Sequence, residues 1–113
     1  MKLISVLSIC LYLYMGTNIY AQSFKTDTLK VWGNCGMCKK TIEASLDLNG
    51  VKQANWNKNT KMLVVTYDTT KFNVDKINTL IADAGYDTEK TKANDKAYAK
   101  LSNCCQYKRK DQK

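Results

Sequence analysis

Between Lys61 and Tyr67 the chain alternates without a break: Leu63, Val65 and Tyr67 fall on one side, Met62, Val64 and Thr66 on the other. A period of two commits this run to a strand. Lys58-Asn59-Thr60 makes a turn before it, and Val51 to Asn57, with Val51 and Trp56 as apolar members, makes the preceding strand of a hairpin. Two helical segments flank this hairpin. Thr41 to Leu48 places Ile42 and Leu46 at i, i+4 and is stopped by Asn49-Gly50. Beyond the loop at Asp68 to Lys71, Asn73 is a plausible N-cap with Asp75 in the first turn. Ile77, Leu80, Ile81 and Ala84 then fall at i, i+3, i+4, i+7, and Gly85 ends the helix. Thr28 to Trp32, following a polar leader at residues 22–25, and Tyr86 to Lys90 supply an outer strand at each end.

The order β-α-β-β-α-β predicts an α+β, ferredoxin-like sandwich: a four-stranded antiparallel sheet with two helices on one face, plus a C-terminal extension. The core of so small a domain rests on few side chains, here Leu29, Val31, Ile42, Leu46, Leu63, Val65, Ile77, Leu80 and Ile81. The domain occupies residues 22–91. Residues 92–113 are a basic, polar appendage in which Asp95 to Leu101 can form two helical turns with Tyr98 and Leu101 on one side. The run Lys108-Arg109-Lys110 is expected as a solvated end.

Chemistry concentrates at Trp32-Gly33-Asn34-Cys35-Gly36-Met37-Cys38-Lys39-Lys40. Two thiols stand where a loop enters a helix, among unpaired N–H groups and the positive end of the helix dipole. Those influences, with Lys39 and Lys40 nearby, are expected to lower thiol pKa, and the thiolate is the form that binds metal or attacks a disulfide. Gly36 is expected to let the loop turn tightly. The chain has no histidine, which excludes imidazole metal sites, histidine proton shuttles and Ser-His-Asp triads. There is no phosphate-binding glycine loop, no paired catalytic carboxylate and no nucleic-acid module, and no enzymatic activity is expected.

Residues 1–21 read as a secretory signal: Lys2, an apolar stretch from Leu3 to Met15, then a polar exit with Ala21 before the cleavage point. Thirteen helical residues span about 20 Å, too little for a bilayer core of ~30 Å, so no permanent span is expected. A periplasmic or secreted location follows. Removing this segment removes Cys10 and leaves Cys35, Cys38, Cys104 and Cys105, with 17 basic against 10 acidic side chains and a net charge of +7. Outside the cytosol that charge suits an acidic protein surface or anionic head groups rather than nucleic acid, or simply solubilises the chain. Thiols in an oxidising compartment close into disulfides unless a metal or a reductant holds them.

The residues resemble the heavy-metal-associated domain family, which includes copper chaperones, modules of metal-pumping P-type ATPases and the periplasmic mercuric-ion carrier. Over roughly residues 27–91 the carriers are Cys35-x-x-Cys38, Ile42-Glu43, Gly50-Val51, Val65-Thr66-Tyr67-Asp68 and Ala84-Gly85-Tyr86. The resemblance implies that Cys35 and Cys38 bind one soft ion and pass it, by stepwise ligand exchange, to a metal-transporting ATPase or another thiol-bearing donor or acceptor. It also implies that Tyr86 shields the site; covering the core is that residue's other reading. Where the family usually has Gly-Met-Thr before the first cysteine, with the methionine propping the loop, this chain has Trp32-Gly33-Asn34. Met37 can fill that space, the preferred role, or offer a thioether to Cu(I). Lys39 takes a position that is usually apolar.

Two sulfurs suit Cu(I) first, with Hg(II) and Zn(II) as the other candidates, although structural zinc takes four ligands. From Lys92 to Cys104 the chain can extend up to ~40 Å, so the tail can reach the main site. Cys104 and Cys105 would then complete a four-sulfur site, receive the ion, or form disulfides that staple the tail, the last being preferred. Two other functions compete. A periplasmic thiol–disulfide oxidoreductase would lack the cis-proline of thioredoxin-like sites, since the chain has no proline. A metal-free interaction domain would use its cysteines only as staples.

Overall fold

A computed structural model describes residues 23–111. The signal reading of residues 1–21, with Cys10, lies outside them. The elements are β1 (Phe24–Lys30), α1 (Gly36–Ser45), β2 (Val51–Trp56), β3 (Met62–Asp68), α2 (Val74–Asp83), α3 (Asp95–Ala99) and a 3-10 turn (Asn103–Cys105). The sheet has three strands in the order β1-β3-β2, both pairs antiparallel. The alternating run is therefore central. Leu63, Val65 and Tyr67 face the core, while Val64 is exposed. Leu29 lies opposite Leu63 on one side, and Trp56 opposite Leu63 on the other.

Both helices bury their apolar stripes in the cluster that contains those inward strand residues. In α2 the stripe is the expected one: Ile77 and Ile81 are fully buried, and Leu80 and Ala84 pack against the cluster. Asn73 caps it, its Oδ1 accepting from the Lys76 N–H at 2.8 Å. Helix α1 begins five residues earlier than expected and stops sooner. Its stripe is Cys38, Ile42 and Leu46, all buried at a spacing of four. Cys38, expected as a metal ligand, is thus also a core residue, and without it the stripe is thin. Lys39 leaves the core altogether: its Nζ donates to Glu43 Oε2, Asn55 Oδ1 and the Trp56 carbonyl, tying α1 to the end of β2.

The expected fourth strand over Tyr86 to Lys90 is not formed. One antiparallel bridge, Val31 with Thr88, stands in its place. Trp32 N–H donates to the Asp87 carbonyl at 2.9 Å and Glu89 N–H to the Lys30 carbonyl at 3.2 Å. The chain then turns away, Thr88 N–H donating to the Thr91 carbonyl. The physical reason is the Asp87 side chain. Fully buried, it accepts from the Ala93 N–H at 2.7 Å and from Arg109 Nη2 and Nε at 2.8 and 3.1 Å, which holds the following residues off the sheet edge.

The tail accordingly folds back against the domain. Helix α3 is shorter than expected, but Tyr98 and Leu101 do pack on the core. The Tyr107 ring stacks on Tyr86, centroids 5.5 Å apart, and meets the edge of Tyr98 at 5.1 Å. Its hydroxyl accepts from the Asp87 N–H at 2.7 Å and donates to the Gly85 carbonyl at 2.9 Å. Gly85 lies at φ +103°, and a Cβ there would meet the Ala97 carbonyl at 2.9 Å, so glycine allows α3 to close over the end of α2. Arg109, expected in solvent, is only 7% exposed because its guanidinium pairs with Asp87 and also reaches Asp95.

Burial alone would raise the Asp87 carboxyl pKa, but Arg109 and the Ala93 N–H outweigh it and hold the group below its usual range. The pair therefore stabilises the fold above the unfolded carboxylate pKa of ~3.9, and acid removes that contribution as pH falls through the depressed folded value. Arg109→Met should cost about 3–5 kcal/mol at neutral pH by leaving a buried carboxylate unpaired. The loss should shrink as acid neutralises Asp87. Urea melts at neutral and acid pH measure this, and equal stability of variant and parent at neutral pH would contradict it.

Candidate metal centre

The cysteine loop rests on the Trp56 indole. A Cβ on Gly33 would meet the Trp56 ring at 2.9 Å, so only glycine lets the backbone pass so close. Trp56 Nε1 donates to the Val31 carbonyl at 3.0 Å, and Trp32 is pinned to Asp87. Thus Trp56, from the far end of the hairpin, supports the loop. Met37 does not: it is 52% exposed, and the packing role expected of it is not formed. Gly36 is not a tight-turn residue either. It has no positive φ, and nothing lies within 4 Å of the Cβ it lacks.

Cys35 is the N-cap residue of α1, in extended conformation at φ −149°, and its carbonyl accepts the Lys39 N–H at 3.1 Å. Its half-buried thiol lies 3.6 Å from that of Cys38. Cys38, fully buried, donates its S–H to Asn34 Oδ1 at 2.9 Å and accepts the Asn34 N–H at 3.5 Å. The helix-terminal N–H of Cys38 lowers the Cys35 pKa; smaller shares come from the Cys38 thiol, the Met37 N–H and Cys105, against a raising effect of burial. The expected lysine contribution is not seen at Lys39, whose ammonium is engaged elsewhere.

The tail brings a third sulfur. Cys35, Cys38 and Cys105 hold their sulfurs within 4.8 Å of one another. Cys105 is 2% exposed, and burial, with help from the neighbouring thiols, pushes its pKa up to about 12. Cys104 is exposed and outside this group; its carbonyl accepts from the Cys35 thiol at 3.3 Å, and its own sulfur lies 3.7 Å from that of Cys105. All four of these cysteines are free, so the disulfide staple expected for the tail is not formed. Tyr86 is fully buried, and among the described residues its hydroxyl has no hydrogen-bond partner. Burial first, and the Cys38 sulfur second, drive its pKa far upward. It covers the core, and the Cys38 sulfur is near enough to act on its hydroxyl. A close-set group of thiols with no carboxylate among them is a donor set for a soft ion.

The contrast between Cys35 and Cys105 sets an order of reactivity. At mildly alkaline pH, iodoacetamide should modify Cys35 well before Cys105, because only the former combines exposure with a depressed pKa. Peptide mapping of the reduced protein over time measures this; labelling of Cys105 as fast as Cys35 would contradict the buried placement.

Residues 34–87 match the heavy-metal-associated domain. The copper chaperone CopZ of Staphylococcus aureus (strain JH9) is 36% identical over 55 residues, covering 48% of this chain and 81% of CopZ. Among solved structures, oxidized MerP from Ralstonia metallidurans CH34 superposes with a TM-score of 0.55 at 33% identity, over 59% of this chain and 96% of MerP. A copper binding domain from HMA7, a P-type ATPase, gives 0.54 at 29% identity, over 57% of this chain and 89% of that domain. The βαββα core, the thiol pair at the head of α1 and these likenesses agree: the chain belongs to the heavy-metal-associated domain family.

Proposed function

We propose that this protein binds one soft metal ion, Cu(I) foremost, through Cys35 and Cys38, and passes it to a thiol-bearing partner outside the cytosol. The observation that carries the reading is the pair of sulfurs 3.6 Å apart at the N-terminus of α1, one half-buried and one fully buried. The helix end favours the anionic thiolates that a soft ion needs, and it does so without histidine or carboxylate. Zinc would want a fourth ligand beyond the three grouped sulfurs.

Transfer then proceeds by ligand exchange. A partner thiolate reaches the ion from the side of Cys35, one metal–sulfur bond forms as another breaks, and Cys38 lets go last because it is the more enclosed. No electron changes hands, so the chain acts as a carrier and not as a catalyst. The relatives support the direction of the reading: one is a copper chaperone, and another is a copper binding domain of a P-type ATPase. Such a domain is the partner class proposed here, with an acidic docking face suited to the basic surface of this chain. Export rests on the pattern of residues 1–21. Among the described residues no helix is long and apolar enough to cross a membrane.

Anaerobic Cu(I) titration of the reduced protein against a competing chelator tests the reading. One equivalent should bind, and Cys35→Ser or Cys38→Ser should weaken it at least about 100-fold, or ~2.8 kcal/mol. Unchanged affinity in both variants, or reduction of insulin disulfides with turnover and no metal uptake, would overturn it.

A further inference from the structure

We propose that Cys105 is a third ligand to the ion, carried to the site by a C-terminal strap that the fold locks in place. The inference rests on the soft-ion reading above and specifies its coordination. A metal–thiolate bond of about 2.3 Å puts the sulfurs of a linear two-ligand site roughly 4.6 Å apart and those of a trigonal site roughly 4 Å apart. Cys35 and Cys38 stand at 3.6 Å, and no sulfur of the trio is more than 4.8 Å from another. The spacing suits a triangle better than a line, and the third corner is already occupied by sulfur.

The strap is built to hold that corner. Residues Asn103–Cys105 form the 3-10 turn, closed by the Cys105 N–H to the Ser102 carbonyl at 2.7 Å. Tyr107 N–H donates to the Cys105 carbonyl at 2.9 Å, so the tyrosine anchor sits immediately beyond the cysteine. That anchor ends on the backbone N–H of Asp87, while the Asp87 carbonyl receives the Trp32 N–H. The cysteine loop and the strap are therefore fastened to opposite sides of one peptide unit pair, and Arg109 clamps the same residue by its carboxylate. Of the two adjacent tail cysteines the turn directs Cys105 inward and leaves Cys104 in solvent. A three-sulfur site of this kind encloses the ion on the tail side, so a partner thiolate must displace Cys105 or Cys35 to take it.

Copper-edge X-ray absorption of the Cu(I)-loaded, reduced protein tests this, with Cys10→Ser throughout, one equivalent of copper, dilute sample and no added thiol. Three sulfur neighbours are expected, falling to two in Cys105→Ser and staying at three in Cys104→Ser. Cys105→Ala provides a second replacement should serine in that buried position prevent folding. Two sulfurs in the parent protein, or three in the Cys105 variants, would overturn the third-ligand proposal while leaving the carrier function intact. Failure to bind copper at all would overturn the functional reading and this proposal with it.

Discussion

Asp87 is the residue through which the domain and its tail become one structure. A carboxylate buried to this depth is tolerated only when charge and hydrogen bonds compensate it, and the Arg109 guanidinium and Ala93 N–H do so. Its backbone serves equally: the carbonyl receives Trp32 ahead of the cysteine loop, and the N–H is bound by Tyr107. The consequence for topology is direct. The chain after Thr88 follows the tail and not the sheet edge, so a single bridge at Val31, just beyond β1, stands where a whole strand was expected.

The thiol site follows from packing as much as from the cysteine spacing. Cys38 belongs to the buried stripe of α1 with Ile42 and Leu46, so its sulfur is fixed by the same contacts that fix the helix on the sheet. Trp56 supports the loop from beneath, and Tyr86 belongs to the same buried cluster as Cys38. Cys35, at the cap position, is left as the accessible member of the pair. Such a difference between a held sulfur and an accessible one suits the ligand exchange proposed above.

Much of this was legible in the chain. The alternation over Met62 to Tyr67, the Asn73 cap and the Ile77/Ile81 stripe gave the hairpin and α2, because each depends on neighbours within one or two turns. The thiol pair was legible for the same reason. The start of α1 is hidden because a cysteine reads as a ligand, whereas Cys38 serves as an apolar side chain that extends the Ile42 and Leu46 stripe back by one turn. Arg109, Tyr107 and Cys105 are not legible as core, since Asp87 lies 22 and 20 residues from the first two and Cys38 lies 67 from the third, and a basic tail reads as solvated. Nor could adjacency alone tell Cys104 from Cys105; the 3-10 turn separates them. Met37 lies exposed, and it is Trp56 that lies against Gly33 of the loop.

Anomalous diffraction at the copper edge from crystals of the Cu(I)-loaded protein would test the account most directly. A single peak between the sulfurs of Cys35 and Cys38, on the side facing Cys105 and above Tyr86, is the predicted result. A peak elsewhere on the molecule, or none in crystals whose copper content matches one ion per chain, would contradict it.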